Sequence, residues 1–294
     1  MSAPIVRPAR PVRPQTVLEV LSTAWVTPHI IRVVAGGPGF AAFETNAFTD
    51  KYAKIVFAKA ELGLVPPFDL QLLRETLPAE DVPVTRTYTI RDVDPVARTV
   101  AVDFVVHGDE GIAGPWAARA VAGDHLVLAG LGGAYSPNPA ADWHLLVGDE
   151  SALPAIASAL EHLAAADPSA VGFALLEAGS RADVVEVVAP VGIEVRWVLR
   201  DTGVPADAGA AADRDGTLAG GVASPLAAAA ASIEWKAGRV HVFAHGERGE
   251  MKALRTLFTD RGVPREDLSL SGYWALGRTE DRFQAEKREP VGVV

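Results

Sequence analysis

The chain has 294 residues, of which 49% are hydrophobic and 22% are charged, and its formal net charge at pH 7 is −10. This length accommodates two domains of roughly 100–200 residues each, and the absence of cysteine excludes disulfides, thiolate metal sites and cysteine nucleophiles. The negative charge argues against nucleic acid as a partner, because phosphate binding needs a basic surface.

The sequence contains no candidate membrane segment. No apolar run approaches the roughly 20 residues that a membrane-spanning helix needs. Residues 1–14, MSAPIVRPARPVRP, contain arginine and proline but not the apolar core of a signal peptide, so we expect a disordered lead-in. The lack of cysteine is compatible with a reducing compartment. We therefore expect a cytoplasmic protein with no membrane partner.

The first half of the chain, from about residue 15 to 138, alternates in the manner of β-strands. Its short segments are rich in Val, Ile, Thr and aromatic residues and are separated by Gly, Pro and Asp. We predict six strands, over residues 16–23, 29–37, 52–59, 85–94, 99–108 and 124–133. The stretch 66–78 interrupts them as a loop with a short helix. A series of this kind predicts an antiparallel barrel or sandwich.

The sequence pattern changes from about Asp142, where apolar strands begin to alternate with helices. The strands are predicted over residues 143–149, 171–178, 193–200, 239–246 and 267–274, and the helices over 151–166, 224–231 and 249–262. The Gly-, Ala- and Asp-rich stretch 204–221 is interpreted as a mobile surface loop. This alternation indicates a parallel α/β sheet. A barrel followed by such a sheet places a binding site at their junction.

The segment VTRTYTIRDVD, residues 84–94, mixes residue types that an amphipathic strand would keep apart. On a strand, Arg86 and Tyr88 share one face, and Thr89 lies on the other. A flavin needs a charge-assisted donor for its pyrophosphate, an aromatic or apolar wall for its ring and a hydrogen-bonding neighbour for N5. This strand could supply all three, although a solvated edge strand would have the same composition.

A second candidate is the Gly-rich loop in DFVVHGDEGIAGPWAARAVAGD, residues 103–124. A strand ends at His107, and a helix begins at Gly114 and Pro115, because proline suits the first position of a helix. Free amides at such a helix start bind anions such as a pyrophosphate. Many helices begin with Gly-Pro, however, and a lone histidine is usually structural, so this motif alone identifies no ligand.

A third candidate is LLVGDESALPAI, residues 145–156, where a buried strand runs into Gly-Asp-Glu-Ser. This position, after the first strand of an α/β domain, is where nucleotide phosphates usually dock. Asp149 and Glu150 would repel phosphate unless their carboxylates turn away. Ser151 suits a helix N-cap equally well, so the binding and capping interpretations are balanced.

Other patterns carry no function. His241 and His245 are four residues apart on a predicted strand, where about 13 Å would separate them, too far to share one metal. The remaining histidines show no ligand spacing, so we predict no metal site. With no Gly-x-Ser-x-Gly motif and no cysteine, a hydrolase has little support. The charged stretch 277–290, GRTEDRFQAEKREP, is typical of a solvated terminal helix.

Four stretches, taken in this order, resemble the siderophore-interacting protein family, the flavin-dependent ferric-siderophore reductases. They are RTYTIR, VDFVVHG…AGPWA, WHLLVGDESALPAI and GYWALGRTEDRFQAEKRE, and the resemblance extends from about Val17 to Glu289. It implies a ferredoxin-NADP reductase-like architecture with two domains. Residues 15–138 would form an antiparallel six-stranded FAD-binding β-barrel, and residues 141–294 a parallel-sheet, NAD(P)H-binding α/β domain with a C-terminal helical tail.

The resemblance also implies roles for individual residues. Arg86 would hold the FAD pyrophosphate, Tyr88 would pack on the isoalloxazine ring and Thr89 would lie near N5, with Thr87 beside them. The FAD diphosphate and ribityl chain would be lined by His107 and by the backbone of Ala113, Gly114, Pro115, Trp116 and Ala117. The nicotinamide nucleotide site would be formed by Gly148, Asp149, Glu150, Ser151 and Glu247. No catalytic residue is implied beyond the flavin and its neighbour Thr89.

In this family the substrate is anionic and is held by basic residues near the flavin, one of which Lys54 matches. Two others are absent. The sequence after GYW is Ala-Leu, where a basic residue is common, and the Gly-rich turn 130–135 lacks an arginine. Either Arg278, Lys51 or Lys287 substitutes in binding the substrate, or the substrate is less anionic.

The resemblance implies an enzyme that passes electrons from NADH or NADPH through FAD to siderophore-bound iron(III) and releases iron(II) in the cytoplasm. Two alternatives stay open: a flavin reductase of the same architecture with another acceptor, and a siderophore-binding module without turnover. A reduced ferredoxin could replace the nicotinamide nucleotide as the donor. Of the two nucleotides, Glu177 would favour NADH by repelling a 2′-phosphate, whereas Arg181 would favour NADPH.

Overall fold

The computed structural model describes residues 14–109, 111–200 and 224–294. The expected lead-in, apart from Pro14, and the loop predicted over residues 204–221 lie outside the described residues. Within the described part of the chain, none of the helices has the length and apolar character needed to cross a membrane.

The first six strands close into an antiparallel barrel. They are β1 (Thr16–Thr27), β2 (Ile30–Gly36), β3 (Tyr52–Phe57), β4 (Val84–Asp94), β5 (Thr99–Val105) and β6 (His125–Gly132). The order around the barrel is β1-β2-β5-β4-β3-β6, and β6 closes the ring by pairing with both β3 and β1. Apolar side chains such as Leu18, Val33, Ile55 and Phe104 are buried in its core. The barrel implied by the family resemblance is confirmed.

Two short helices accompany the barrel, α1 (Leu70–Thr76) and α2 (Ala113–Arg119). Helix α1 lies within the predicted loop, and the Asp69 side chain caps it by accepting two backbone N–H groups. Helix α2 begins earlier than expected, so Pro115 occupies its third position, and the predicted first position is wrong. Proline is tolerated there because the first four N–H groups of a helix have no intrahelical acceptor.

The second half of the chain forms a five-stranded parallel sheet with flanking helices. Its elements are β7 (Trp143–Gly148), α3 (Leu153–Ala166), β8 (Val171–Ala178), β9 (Gly192–Leu199), α4 (Pro225–Ser232), β10 (Val240–Glu247), α5 (Arg248–Asp260) and β11 (Leu268–Trp274). The strand order is β11-β10-β7-β8-β9. Strand β7 is central and wholly buried, which explains its uninterrupted apolar sequence. The predicted parallel α/β sheet is confirmed, and its order reverses beside β7, where ligands bind in such sheets.

Polar contacts join the barrel to the parallel sheet and its helices. The Arg91 guanidinium on β4 lies 2.9 Å (Nη1) from Glu161 Oε2 on α3, and Ser158 Oγ donates to the Arg91 carbonyl at 3.1 Å. On another side, His29 Nδ1 lies 2.8 Å from Asp183 Oδ1. The strand that carries the candidate flavin residues is therefore attached directly to the second half of the chain.

The last helix, α6 (Glu280–Glu286), is not simply solvated. Phe283 and Glu286 on it are both buried, so the interpretation of this stretch as a solvated helix is wrong for one of its faces. The Glu286 carboxylate accepts hydrogen bonds from three guanidinium groups: Arg248 at 2.7 Å, Arg278 at 2.8 Å and Arg282 at 2.9 Å. This cluster attaches the end of the chain to α5.

The stabilising contribution of Glu286 is expected to disappear in acid. Hydrogen bonds from Arg248, Arg282 and Arg278 lower the pKa of Glu286 to about 2, below the roughly 4.3 of a glutamate in an unfolded chain. Because the folded-state pKa is depressed, the contribution is fully present above about pH 4.3 and is lost as the pH falls through the folded-state value. Urea unfolding of wild type and Glu286→Gln, between neutral pH and about pH 2, measures this contribution to the free energy of unfolding.

At neutral pH, Glu286→Gln should be less stable than wild type, and the two should converge as the pH approaches 2. Glu289→Gln provides the control, because Glu289 is an exposed carboxylate three residues further along the chain. A stability difference that stayed constant over the whole range would contradict the role assigned to the arginine cluster.

Candidate functional site

A cleft of about 1870 Å³ lies between the barrel and the parallel sheet. Pockets for one drug-sized ligand have about 300–1,000 Å³, so this cleft has room for more than one such molecule. The barrel contributes β4 and the loop from β5 to α2. The second half contributes the carboxyl ends of β7, β8, β10 and β11, together with α6. The cleft therefore lies at the predicted junction.

Strand β4 forms the barrel side of the cleft. Its four predicted site residues all line it: Arg86, Thr87, Tyr88 and Thr89. The Tyr88 ring lies 4.5 Å from the Phe104 ring, measured between centroids, and so packs against the barrel core. Thr89 is buried and pairs with Tyr52 on β3. The mixed composition of this segment is explained by a strand that packs on the core and borders the cleft at once.

Arg86 binds a carboxylate in this structure. Its Nη1 atom lies 3.0 Å from Asp281 Oδ1 of α6 and also donates to the Thr85 carbonyl at 3.0 Å. The Arg86 side chain is 15% exposed, whereas that of Asp281 is 74% exposed. An exposed carboxylate is readily exchanged for another anion, and a guanidinium binds phosphate oxygens in the same way. Arg86 therefore fits the pyrophosphate of a dinucleotide such as FAD.

The loop from β5 to α2 borders the same side of the cleft. Three predicted residues line the cleft, namely His107, Ala113 and Gly114. Three others do not: Pro115, Trp116 and Ala117. The Trp116 ring instead packs against Phe57 and Phe104 in the barrel core, at centroid distances of 5.4 and 5.7 Å. Only the first residues of α2 are therefore available to a ligand, because its following residues fill the core.

Asp149, directly after β7, ties the ends of three strands together. Its carboxylate accepts hydrogen bonds from Ser151 N and Oγ at 2.9 and 2.5 Å, from Glu247 N at 2.9 Å and from the Trp274 indole at 2.8 Å. Asp149 is 2% exposed, and burial raises its pKa above the usual value. The Ser151 hydroxyl donates to this carboxylate, and the N-cap residue of α3 is Ala152. The capping interpretation of Ser151 is therefore wrong.

Gly148 and Glu247, both predicted to bind the nicotinamide nucleotide, make contacts within the protein that maintain its fold. Gly148 does not line the cleft, and a Cβ there would lie 2.7 Å from the Ala152 Cβ, so only glycine fits. Glu247 lines the cleft and caps α5, since its Oε2 accepts from Glu250 N at 3.0 Å. Its Oε1 accepts from Leu276 N at 3.0 Å. Glu247 thus orders the loop that follows β11.

An arginine and two glutamates at the ends of neighbouring strands form an ion-pair cluster. Arg200 Nη1 lies 2.9 Å from Glu150 Oε2 and 2.5 Å from Glu177 Oε1, and its Nη2 also contacts Glu150. Glu150 Oε1 further accepts from Gly179 N at 2.8 Å. Two carboxylates therefore share one guanidinium, and the cluster carries a net negative charge.

The basic groups predicted to bind the substrate differ in their partners. Lys54 on β3 lines the cleft, and its ammonium group has no ion-pair or hydrogen-bond partner among the described residues. Arg278 also lines the cleft but donates to Glu286 at 2.8 Å. The Lys287 ammonium lies 4.6 Å from the centroid of the Phe283 ring, and burial lowers the pKa of Lys287. Lys54 is therefore the basic group best placed to meet an anion.

The two histidines of β10 have protein partners. His245 Nε2 lies 2.9 Å from Ser269 Oγ, and His241 Nδ1 accepts from Asn138 N at 3.1 Å. Burial lowers the pKa of His245 to about 3, so this side chain is neutral. Within residues 14–109, 111–200 and 224–294, no group of three or more His, Cys, Asp or Glu side chains could hold a metal.

Three residues at the cleft were not singled out from the sequence. Asp281 is 195 positions from Arg86, so no local pattern links them. Trp274 lies in the GYW stretch, residues 272–274, but nothing in that stretch indicates its hydrogen bond to Asp149. Arg200 directly follows β9, and the rule that ligands bind at the carboxyl ends of strands could have found it.

Two family profiles, both of siderophore-interacting proteins, match consecutive parts of the chain. Residues 19–135 match the family profile described as the siderophore-interacting FAD-binding domain, and residues 141–277 match the one described as siderophore-interacting protein. An uncharacterised protein of Mycobacterium tuberculosis is 45% identical over 283 residues, which cover 94% of this chain and 96% of that protein.

Two further comparisons concern a named reductase and a solved structure. The ferric vibriobactin reductase of Vibrio cholerae is 28% identical, over 92% of this chain and 93% of that reductase. The crystal structure of a siderophore utilization protein from T. fusca has a TM-score of 0.71 and 31% identity, over 91% of this chain and 95% of that chain. The chain therefore belongs to the siderophore-interacting protein family.

Proposed function

We propose that the protein is a FAD-dependent ferric-siderophore reductase that takes electrons from a nicotinamide nucleotide and releases iron(II) in the cytoplasm. The observation that carries this proposal is one cleft in which Arg86, Tyr88 and Thr89 of the barrel face the carboxyl edge of a parallel sheet. When bound, FAD would supply the conversion of a two-electron donor into single-electron reduction of iron(III). The ferric vibriobactin reductase among the relatives supports the choice of acceptor.

The protein's own residues would act by binding and orienting. Arg86 would exchange the Asp281 carboxylate for the FAD pyrophosphate, and Ala113 and Gly114 would border the same phosphates. Tyr88, fixed against Phe104, would provide a wall for the ring system. The Thr89 hydroxyl would be the hydrogen-bonding neighbour of N5. No acid or base from the protein is required, because the cofactor would carry the chemistry. Iron would be released because iron(II) binds hard oxygen ligands more weakly than iron(III).

Lys54 is proposed to attract an anionic ferric siderophore. We expect Lys54→Ala to raise the KM for an anionic ferric chelate about threefold to tenfold and to change kcat little, since the lost charge acts on binding. The increase should shrink at high salt, because the Debye length falls from about 10 Å at 0.1 M to about 3 Å at 1 M. Steady-state kinetics at two salt concentrations measure both effects.

The matched control for this variant is Lys59→Ala. Lys59 is paired with Asp81 at 2.7 Å and does not line the cleft, so its loss should leave the KM unchanged. An identical KM for wild type and Lys54→Ala at low salt would remove Lys54 from the substrate site.

A spectroscopic experiment tests the function as a whole. The purified protein should be yellow with flavin absorption, and NADH or NADPH should bleach it under anaerobic conditions. A coloured iron(II) chelator should then trap iron only when a ferric siderophore is supplied. Flavin that is absent or is not bleached would favour a siderophore-binding module or a ferredoxin donor. Bleaching without iron(II) release would indicate another acceptor.

A further inference from the structure

The Gly-rich turn at the end of β6 leaves no room for a side chain at two of its positions. A Cβ atom at Gly132 would lie 2.4 Å from Tyr52 Oη, and one at Gly133 would lie 2.8 Å from Phe48 Cβ, both closer than real Cβ contacts. Tyr52 reaches Gly132 because the two residues are paired across β3 and β6. The Tyr52 ring therefore fills the space that a longer side chain at Gly132, such as arginine, would enter.

Tyr52 and Lys54 lie on the same face of β3, and this face is turned to the cleft. They are separated by Ala53, which is buried in the barrel core, and residues two apart on a strand point the same way. Both side chains line the cleft and are half-buried. Neither the Tyr52 hydroxyl nor the Lys54 ammonium has a hydrogen-bond or ion-pair partner among the described residues. Strand β3 thus presents a neutral donor and a cation side by side to a ligand.

Tyr52 also lies beside the residue proposed as the neighbour of flavin N5. Strands β3 and β4 pair so that Tyr52 is opposite Thr89 and Lys54 is opposite Thr87. Directly opposite residues of antiparallel strands have Cβ atoms about 4.5–5.5 Å apart. A chelate held by Tyr52 and Lys54 would therefore lie close to Thr89.

Asp50 adds a carboxylate to the same wall of the cleft. Its Oδ1 atom accepts hydrogen bonds from the backbone N–H groups of Ala134 and Tyr135, at 2.8 and 2.9 Å, and so holds the turn against β3. Asp50 is buried and lines the cleft. Burial, and then the charge of Asp50, raise the pKa of Tyr273 on β11, so this charge acts across the cleft. A strongly anionic ligand at Tyr52 would therefore be repelled by Asp50.

The charge of a ferric chelate depends on the groups that bind the iron. A catechol loses two protons when it binds iron(III) and a hydroxamic acid loses one, so a tris-catecholate is strongly anionic and a tris-hydroxamate core is neutral. Hydroxamate oxygens accept hydrogen bonds from a neutral hydroxyl, whereas the charged oxygens of a catecholate pair more strongly with a guanidinium. A wall that carries a phenol where an arginine would stand therefore suits the hydroxamate class.

We propose that Tyr52 binds the substrate through its hydroxyl and selects ferric hydroxamates over ferric catecholates. The inference rests on the proposed function and deepens it, because it names the class of chelate. The Tyr52 hydroxyl donates to the oxygens around the metal, and the buried Asp50 disfavours a chelate with a high negative charge. Lys54 meets a single negative group at the periphery of the chelate, which agrees with its proposed attraction for an anion.

The test is the binding of two gallium(III) chelates to the full-length, FAD-loaded protein. Gallium(III) carries the same charge as iron(III) but is not reduced, so isothermal titration calorimetry reports binding without turnover. The probes are gallium desferrichrome, a tris-hydroxamate, and gallium enterobactin, a tris-catecholate. We expect the unaltered protein to bind the hydroxamate at least about tenfold more tightly, because like charges repel. Tyr52→Phe should weaken hydroxamate binding about threefold to tenfold, the effect of one neutral hydrogen bond, equally at low and high salt because no charge is lost.

Tyr135→Phe is the matched control. Tyr135 also lines the cleft, but its hydroxyl is buried within the protein, so removing it should leave both dissociation constants unchanged. The double variant Tyr52→Ala/Gly132→Arg places a guanidinium in the space of the phenol ring, and the Gly132 backbone accepts it because its φ is not positive. This variant should shift the ratio of the two dissociation constants at least about tenfold toward the catecholate. If a variant folds poorly, the ratio in the unaltered protein still decides the question.

Equal or tighter binding of gallium enterobactin by the unaltered protein, or an unchanged affinity of Tyr52→Phe for gallium desferrichrome, would overturn the role of Tyr52. The proposed function is tested separately by reducing the flavoprotein with dithionite and mixing it with ferrichrome and with ferric enterobactin. Reoxidation of the flavin together with iron(II) formation would preserve the reductase even if the role of Tyr52 failed. A reduced flavin that reacts with neither chelate would remove the reductase, whatever the outcome of the titration.

Discussion

Arg86→Ala protein is expected to purify with little or no FAD and to bind added FAD about tenfold to 150-fold more weakly than wild type. Hydrogen bonds to charged groups contribute about 1.5–3 kcal/mol, and Arg86 is the guanidinium that faces the cleft from β4. Its present partner is a largely exposed carboxylate of α6, so the Arg86 side chain is oriented before the cofactor arrives. The absorbance ratio at 450 and 280 nm and a fluorescence titration with FAD measure the effect.

Two further variants sharpen this result. Asp281→Asn removes the competing carboxylate and should tighten FAD binding slightly, because an exposed ion pair contributes only about 0–1 kcal/mol. Arg196→Ala removes a guanidinium from β9 that is paired outside the cleft and should leave FAD binding unchanged. An Arg86→Ala protein that retains a full complement of flavin would exclude Arg86 from the pyrophosphate site.

The second large effect is expected for Asp149→Ala, which should lower the free energy of unfolding by about 3 kcal/mol or more. The substitution leaves the amides of Ser151 and Glu247 and the Trp274 indole without their acceptor. A donor that is left buried without an acceptor costs about 1–3 kcal/mol, and the Asp149 carboxylate that these three donors share is itself buried. Urea unfolding followed by tryptophan fluorescence measures the change.

Ser151→Ala is the graded control for this prediction. It removes one donor to the Asp149 carboxylate and leaves the other contacts in place, so a loss of about 1 kcal/mol is expected. We also expect Asp149→Ala to slow flavin reduction by the nicotinamide nucleotide, because the ends of β7, β10 and β11 lose their common acceptor. A stability loss no larger than that of Ser151→Ala would contradict the central role of Asp149.

The periodicity of the chain predicted most of its architecture. Strand β7 was recognisable because a strand buried on both faces is apolar throughout. The alternation of its neighbours with helices indicated parallel pairing. The six barrel strands were separable by their turn residues, although alternation alone could not distinguish a closed barrel from a sandwich. That distinction depends on the pairing of β6 with β1, which brings together the two ends of the barrel sequence.

The candidate site was only partly predictable, because several of its contacts join distant parts of the chain. The role of β4 followed from its residue types, which do not suit an ordinary amphipathic strand. The burial of Phe283 and the contact between Asp281 and Arg86 depend on where α6 packs, and its charged sequence favoured a solvated helix. Trp116 shows the converse, since the family resemblance implied that its backbone lines the FAD, whereas its ring packs in the barrel core.

The attachment of β4 to α3 has a consequence for how reactants exchange. The same strand carries Thr89 at the cleft and, two residues later, Arg91, which is held by Glu161 and Ser158 of the opposite half. A hinge motion that separated the two halves would have to break these contacts, which lie two residues from Thr89. We therefore expect a rigid interdomain angle throughout turnover, with nucleotide and iron chelate entering and leaving through the open mouth of the cleft.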